Sequence, residues 1–203
     1  MKPILQTGVG ILAVLMSLAV MAQSNDPEEL VRSTTDKVVQ ILESHQEELE
    51  QKPGAVYGLV KETVLPHFDF RSMGKLVMGH YWRRASEAQR EAFVAEFRQL
   101  LVRTYAKSLR EYEGQEIAFL PTRERPDASE VTVRTEIRDG SGMPIPIDYR
   151  LHPVDGSWKV FDVSVDGISL VTNYRSTFSQ KIRRAGIDGL IEELRQNNRE
   201  RSS

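Results

Sequence analysis

The fold is decided by the stretch from Val131 to Leu151, which reads VTVRTEIRDGSGMPIPIDYRL. On both sides of its central Asp-Gly-Ser-Gly, apolar and polar residues alternate along the chain. A period of two is typical of half-buried strands, and a glycine-containing turn between two such runs predicts an antiparallel hairpin. Pro144 and Pro146 predict that the second strand has a free edge or an irregular start, because proline cannot donate a ladder hydrogen bond.

Two further strands extend this hairpin. One is predicted from Glu116 to Leu120, and another from Trp158 to Val165, after the turn Asp155-Gly156. Short connections between consecutive strands place neighbours antiparallel in one sheet. The sequence therefore predicts a four-stranded antiparallel meander.

Helical periodicity surrounds the strands, and capping signals at Asp26 and Ser86 mark two helix starts. Before the sheet, helices are predicted over about 27–50, 56–64, 69–77 and 86–112, with a break at Lys52-Pro53-Gly54. After the sheet, helices are predicted over about 168–182 and 187–194, followed by a polar tail that frays from about 199. Helices, then an antiparallel sheet, then helices predict a single-domain α+β fold with the helices over one sheet face.

The first 22 residues have the features of a cleaved signal peptide. Lys2 precedes an apolar run from Val9 to Val20, and Val20-Met21-Ala22 offers small residues for a signal peptidase. The mature chain is then residues 23–203, one exported domain. An uncleaved N-terminal anchor is the alternative. A lipidated N-terminus is excluded, because the sequence contains no cysteine.

Composition excludes several classes of function. Without Lys2 the mature chain carries 26 basic residues against 29 acidic ones, a formal charge of −3. Nucleic-acid binding normally requires a basic face, and anionic membranes attract polybasic segments, so neither is favoured. The absence of cysteine excludes disulfides and thiol chemistry.

One motif has the outline of a hydrolase nucleophile. In Gly167-Ile168-Ser169-Leu170-Val171 the serine lies at a strand-to-helix turn, but a nucleophile elbow needs glycine where this chain has Val171. The parallel βαβ units of that fold are also not predicted. A structural hydroxyl at a helix start is therefore the favoured interpretation of Ser169.

Metal and acid–base sites are also weakly supported. The four histidines are His45, His67, His80 and His152, and none forms a helical metal-binding pair. A metal set of His67, Asp69 and His80 is conceivable, as is a carboxylate pair of Asp162 and Asp166. Hydrogen-bonded histidines, and Asp166 as a helix cap, are the simpler interpretations. No catalytic or metal-binding residue is predicted.

Four segments of the chain have a recognisable pattern. The longest is residues 165–178, VDGISLVTNYRSTF, and the others are VLPHFDF at 64–70, YWR at 81–83 and WKVFDV at 158–163. In these segments the chain resembles the MlaC family. The family consists of periplasmic phospholipid-binding components of the Mla lipid-transport system of Gram-negative bacteria, also described as toluene-tolerance proteins. The resemblance spans essentially the whole mature chain.

The resemblance implies a soluble periplasmic carrier that is not an enzyme and needs no cofactor. It implies an apolar pocket between the sheet and the helices that holds the acyl chains of a phospholipid. The implied partners are an outer-membrane lipoprotein–porin complex and an inner-membrane ABC transporter with an MCE-domain subunit. Gly167 and the Lys52-Pro53-Gly54 break are candidate hinges for lipid release.

Inward-facing apolar positions give the predicted pocket wall. They are Met73, Val77, Phe97, Leu101, Tyr105, Val133, Tyr149, Val163, Ile168, Val171 and Tyr174. Asn173 and Arg175 are instead expected to make structural contacts across the fold.

Two alternatives stay open. An enzyme on a cone-like α+β scaffold would use Asp162, Tyr149 or His80 for acid–base chemistry in an apolar pocket. A ligand-free adaptor between membrane complexes would have a filled core.

Overall fold

The strands of the quoted stretch are the second and third of a five-stranded antiparallel sheet. In the computed structural model, residues 26–52, 54–121, 128–140 and 142–200 are described, so the predicted signal peptide lies outside the described residues. The strands are β1 (Glu116–Leu120), β2 (Val131–Arg138), β3 (Ile145–Val154), β4 (Ser157–Val165) and β5 (Ile168–Ser169). They lie side by side in chain order, as a meander does.

The register places the alternating apolar residues in rows across one sheet face. Val133 pairs with Tyr149, and Tyr149 pairs with Val163. The register shifts between Arg150 and Leu151, which is a local irregularity between β3 and β4. Because side chains alternate between the faces of a sheet, this pairing builds one continuous apolar surface.

The fifth strand corrects the predicted count of four. Asp166 and Gly167 both have positive φ values, 51° and 74°, and together they make a tight hairpin turn between β4 and β5. The turn folds Ser169 back beside Ser164. The helix predicted from Ile168 therefore begins two residues later, at Leu170.

The prolines mark an irregular strand start and not a free edge. β3 lies between β2 and β4. Pro146 pairs with Glu136 on β2, and pairing with β4 begins only at the next residue, Ile147. The Pro146 carbonyl accepts a hydrogen bond from the Asp166 N–H at 2.9 Å.

The helices follow the predicted caps. They are α1 (Pro27–Ser44), α2 (Gln46–Gln51), α3 (Ala55–Leu59), α4 (Phe70–Met78), α5 (Glu87–Arg110) and α6 (Leu170–Glu200), with short 3-10 turns over Leu65–His67 and Gly79–Arg83. Asp26 and Asp69 cap α1 and α4, and Ser86 makes a capping box with Gln89. α6 is kinked at Gly186, where φ is 76°, so the two predicted C-terminal segments are its two halves.

A π-helical turn continues α3 over Val60–Val64. The Leu65 N–H donates to the Val60 carbonyl, five residues back. Pro66 follows directly and has no N–H, so an α-helical ladder could not continue through it. The wider turn leaves both Val60 and Val64 available to the interior beneath α1.

The interior has one main core and two smaller clusters. The main core joins α4, α5 and α6 to Phe161 of β4, around Phe93, Phe97 and Phe178. A second cluster joins α1, α2 and α3 to the C-terminal half of α5, and a third packs Val31 of α1 on the sheet. Among the described residues, no helix is long and apolar enough to cross a membrane. The α+β fold with one antiparallel sheet is confirmed.

Candidate functional site

A cavity of about 530 Å³ lies between the sheet and helices α1 and α5. The cavity lies between the second and the third cluster of buried residues. Its lining is predominantly apolar. The lining from the helical side includes Leu30, Thr34, Val38, Leu42, Val60, Val64, Phe68, Phe70, Met73, Leu101, Tyr105, Ala106 and Tyr112, and that from the sheet includes Ile117, Ile137, Ile147, Tyr149, Val160, Val163 and Val165.

The sheet wall follows from the alternation in the sequence. Ile137 pairs with Ile117 on one side and with Ile145 on the other, so three isoleucines form a row at one end of the wall. Ile147 and Val165 form the next row, and Tyr149 and Val163 form the row beyond it.

The exposed lining residues locate the mouth. Tyr105 is 37% exposed, Met143 is 91% exposed and Ile145 is 47% exposed. Ser108, Glu111 and Asp139, which also line the cavity, are exposed as well. The cavity therefore opens between the C-terminal end of α5 and the β2–β3 turn.

Three ionisable groups of the lining, Tyr105, Tyr149 and His67, are neutral near pH 7. Burial and the neighbouring Tyr174 hydroxyl raise the pKa of Tyr105 to about 12. Burial also raises the pKa of Tyr149, which Thr135 partly offsets by a hydrogen bond. Burial, together with Lys159 and Lys37, lowers the pKa of His67. Phenols stay protonated and the imidazole stays unprotonated, so these groups add no charge to the cavity.

The structure brings five of the eleven predicted wall residues to the cavity. Met73, Leu101, Tyr105, Tyr149 and Val163 line it. The other six do not line this cavity. They are Val77, Phe97, Val133, Ile168, Val171 and Tyr174.

Aromatic packing accounts for several of these six. Phe97 is fully buried, stacks on Phe93 with ring centroids 5.6 Å apart, and meets Tyr174 edge-on at 5.3 Å. Val77 and Val171 belong to the same main core. Val133 is sealed in the third cluster with Val31, and Ile168 is 62% exposed on β5. Periodicity identified these residues as inward or apolar, but it did not distinguish a filled interior from a hollow one.

The lining residues that sequence reasoning missed include seven of α1 and two of the π-helical turn. The apolar face of α1 was recognised as helical, but its assignment to the cavity depends on long-range packing. Val60 and Val64 are four residues apart, a spacing that places two side chains on one helix face. That spacing, next to a helix-breaking proline, was the available signal.

Ser169 has a structural role in the geometry observed. Its Oγ donates to Asp162 Oδ2 at 2.7 Å and accepts from the Thr172 N–H at 3.1 Å. Asp162 is 2% exposed and also accepts from the Val171 N–H at 3.1 Å. The Arg150 guanidinium lies 3.6 Å from the same carboxylate. These contacts fasten the start of α6 to β4.

The histidines do not assemble a metal site in the part of the chain that is described. Asp69 Oδ2 lies 3.0 Å from His152 Nε2, and Asp69 Oδ1 accepts from the Ser72 N–H. Burial alone would raise the Asp69 pKa, but the bonds to Ser72 and His152 outweigh it and lower the pKa. Across the described ranges, no group of three or more histidine, aspartate or glutamate residues could hold a metal ion.

The two polar residues expected to be structural differ in their surroundings. The Arg175 guanidinium lies against Gly79, whose added Cβ would be 3.1 Å from Arg175 Nε. Asn173 is exposed on α6. Arg175 therefore links α6 to the end of α4, where the positive φ of Gly79 already favours glycine.

The family model described as "MlaC protein" matches residues 32–196. The chain belongs to the MlaC family. This confirms the resemblance noted in the sequence, and the match covers all the lining residues of the cavity except Leu30 and Val31.

Two curated relatives agree with the family assignment. The chain is 27% identical over 187 residues to the Haemophilus influenzae protein named intermembrane phospholipid transport system binding protein MlaC, covering 91% of this chain and 87% of the relative. It is 29% identical over 179 residues to toluene tolerance protein ttg2D of Pseudomonas putida, covering 88% and 82%. Both names describe binding, transport or tolerance, and neither describes an enzyme.

A solved structure supports the fold. A phospholipid-binding protein of Ralstonia solanacearum, determined in complex with a phospholipid, superposes with a TM-score of 0.80. The two chains are 28% identical, and the match covers 88% of this chain and 99% of the other.

Proposed function

We propose that this protein is a phospholipid carrier whose cavity encloses the acyl part of the bound lipid. The observation that carries the proposal is the apolar cavity of about 530 Å³, which lies within a fold shared with a protein solved in complex with a phospholipid. The Tyr105 and His67 side chains of its lining are neutral near pH 7, so they add no charge beside a hydrocarbon chain.

The physical need for such a cavity follows from hydrophobic transfer. Each CH₂ removed from water contributes about 0.8 kcal/mol, so two long acyl chains represent more than ~20 kcal/mol. Free phospholipid therefore crosses water extremely slowly. An apolar cavity with a mouth on one side lowers that barrier and still lets the lipid leave.

The route proposed for the cargo runs between two membranes. The carrier would be exported by its signal peptide, begin near Gln23 in its mature form, and work in the periplasm. It would exchange lipid with an outer-membrane lipoprotein–porin complex and an inner-membrane ABC transporter bearing an MCE-domain subunit. The name of the Haemophilus relative, which places it in an intermembrane phospholipid transport system, supports this route.

Release requires a wall to move, and two junctions are proposed as hinges. One is the Asp166-Gly167 turn, where both residues have positive φ. The other is the break between α2 and α3 around Lys52 and Gly54. Cross-linking across either junction with an engineered disulfide should slow lipid transfer, and unchanged transfer would count against that hinge.

The experiment that tests the proposed function is native mass spectrometry of the exported protein, followed by lipid extraction. One phospholipid per protein is expected, and the protein mass reports the cleavage site. Ala106 is buried and lines the cavity, whereas Ala95 is exposed on the same helix, α5. Ala106→Trp should remove most of the bound lipid by filling the cavity, and Ala95→Trp should retain it.

A bare polypeptide mass in the wild-type protein, under conditions that preserve other lipid complexes, would refute the proposal. Equal lipid content in folded Ala106→Trp and Ala95→Trp would show that lipid binds elsewhere. A lipid-free protein would favour the adaptor or enzyme alternatives.

A further inference from the structure

Basic residues are concentrated in two segments that pack against each other. Residues 70–84 and 170–184 together contain eight lysines and arginines and no aspartate or glutamate. Residues 27–64, by contrast, contain eight acidic residues and four basic ones. The two basic segments are neighbours, because both contribute to the main core and the Arg175 guanidinium lies against Gly79. The small net charge of the whole chain does not reveal this asymmetry, which matters locally because salt screens charges more than about 10 Å apart.

Most of these cations are exposed and are not neutralised by a carboxylate. Arg71 pairs with Glu87, and Lys181 pairs with Glu193. The other six are exposed, and within the described part of the chain they form no ion pair. We call these six the basic face, and they are Lys75, Arg83, Arg84, Arg175, Arg183 and Arg184.

Four of the six, the pairs 83–84 and 183–184, lie at the end of the molecule opposite the cavity mouth. The first pair comes directly before α5 in the chain. The second pair comes directly before the kink of α6, and Asp188 beyond the kink accepts a hydrogen bond at 2.8 Å from Gln89 in the first turn of α5. The mouth lies at the C-terminal end of α5, whose 24 residues span about 36 Å at 1.5 Å each. The length of α5 therefore separates the basic face from the mouth.

The exposed side chains of this surface suit a charged plane better than a shaped protein partner. Protein interfaces are typically anchored by aromatic side chains that fill pockets of the partner. None of the five aromatic residues in the two segments is exposed, and the large apolar side chain exposed there is Leu76, at 37%. Separate, flexible cations match an anionic lipid surface instead, where each contributes about fivefold to binding.

We propose that the basic face docks the protein on an anionic phospholipid bilayer, with the cavity mouth directed away from that bilayer. The attraction acts within about 8 Å of the membrane surface at physiological salt, so it holds the basic end and does not reach the mouth. The docked protein stays at the membrane surface while its mouth is open to a partner protein. This inference does not depend on which molecule the cavity holds.

Co-sedimentation with vesicles tests the docking. The exported protein would be mixed with phosphatidylethanolamine vesicles that contain either phosphatidylglycerol or the same proportion of phosphatidylcholine. Binding is expected only to the vesicles with phosphatidylglycerol. Raising the salt from about 50 to about 300 mM should weaken this binding by at least about tenfold. Equal binding to both kinds of vesicle would overturn the proposal.

A matched pair of double variants assigns the binding to the basic face. Arg83→Glu with Arg183→Glu reverses two of its charges, whereas Lys37→Glu with Lys61→Glu reverses two exposed lysines of the acidic segment. Both variants have the same net charge. The first should bind phosphatidylglycerol vesicles at least about 25-fold more weakly, because each basic residue contributes about fivefold. The second should stay within about twofold of wild type, and equal losses would contradict the assignment.

Site-specific labels report the orientation, because the chain contains no cysteine of its own. Ala185→Cys places a fluorophore on an exposed residue next to Arg184, and Met143→Cys places one at the mouth, where the native side chain is 91% exposed. A phospholipid with a spin-labelled headgroup in the phosphatidylglycerol vesicles should quench the first label and leave the second bright. Stronger quenching at position 143 would overturn the orientation.

Docking and lipid carriage can fail separately. Ala106→Trp, which fills the cavity, should bind phosphatidylglycerol vesicles as the wild-type protein does, and the reversed basic face should leave the bound phospholipid in place. Vesicle binding by a protein that never carries lipid would refute the carrier and support the docking. No vesicle binding by a lipid-loaded protein would overturn the docking, and an acidic protein surface would then be the better partner for the basic face.

Discussion

The two sides of helix α5 show how similar apolar residues build two different interiors. On one side, Phe93 and Phe97 of α5 pack against Phe178 of α6, and the centroids of the three rings lie 5.6–6.0 Å apart. On the other side, residues of α1 and of the sheet line the cavity of about 530 Å³. The comparison teaches that apolar character alone does not decide whether an interior is filled, because the cavity lining also contains aromatic residues such as Phe68, Tyr105 and Tyr149.

A matched leucine pair should give the largest difference between the two sides. Leu190 is fully buried in the main core, and Leu42 lines the cavity. Leu190→Ala should lower the free energy of unfolding by about 4 kcal/mol, and Leu42→Ala by about 2 kcal/mol or less, since it already borders a void. Urea unfolding of the lipid-free protein measures both values, and equal losses would contradict the distinction.

Removing the Asp162 side chain, which joins β4 to α6, should have the next largest effect on stability. Asp162→Ala leaves the Ser169 hydroxyl, the Val171 N–H and Arg150 without their buried acceptor. The expected loss of stability is about 2–3 kcal/mol. Lipid binding by the folded fraction should be retained, because Asp162 does not line the cavity.

Asp148→Ala is the control for this prediction. Asp148 lies on β3 opposite Ser164 and is not fully buried. Its replacement should change stability by less than about 0.5 kcal/mol. Similar losses in both variants would show that Asp162 has no special role in holding α6.

The smallest effect expected is a pH dependence of the stability, caused by His67 in the cavity lining. The pKa of His67 is lowered in the folded protein, so the unfolded chain binds the proton more tightly. Stability contributed by the neutral imidazole is complete above the unfolded pKa of about 6.5 and is lost as pH falls toward the lower folded value. The loss should stay below about 1 kcal/mol, because His67 is partly exposed.

Urea midpoints at about pH 7.5 and about pH 5.5 check this sign. His67→Gln should reduce the fall in stability at the lower pH, and His45→Gln, which changes an exposed residue, should not. A wild-type protein that becomes more stable on acidification, with His67→Gln unaffected, would contradict the assigned direction.

Local pattern was sufficient to predict the α+β class, the helix caps and four of the five strands. The strand from Val131 to Arg138 alternates strictly, and Ser86 and Gln89 form their capping box as the spacing requires. The short fifth strand was missed because it depends on two consecutive positive φ values at Asp166 and Gly167. The sequence pattern alone predicts a helix start at this point.

The candidate site was less predictable than the fold. Tyr149 and Val163 were identified because sheet alternation fixes their face. Phe97 and Tyr174 show the same periodic pattern, yet they fill the main core. Whether an inward residue meets another side chain or empty space depends on the distance between elements that lie far apart in sequence, and periodicity carries no information on that distance.

The hollow interior has a consequence for the lifetime of the protein. A lipid that binds only the folded protein stabilises it by linkage, by about 2.7 kcal/mol at a free concentration of about 100 times Kd. Proteases act on transiently opened molecules, so unloaded protein should be degraded faster than loaded protein. Its abundance would then follow the supply of lipid.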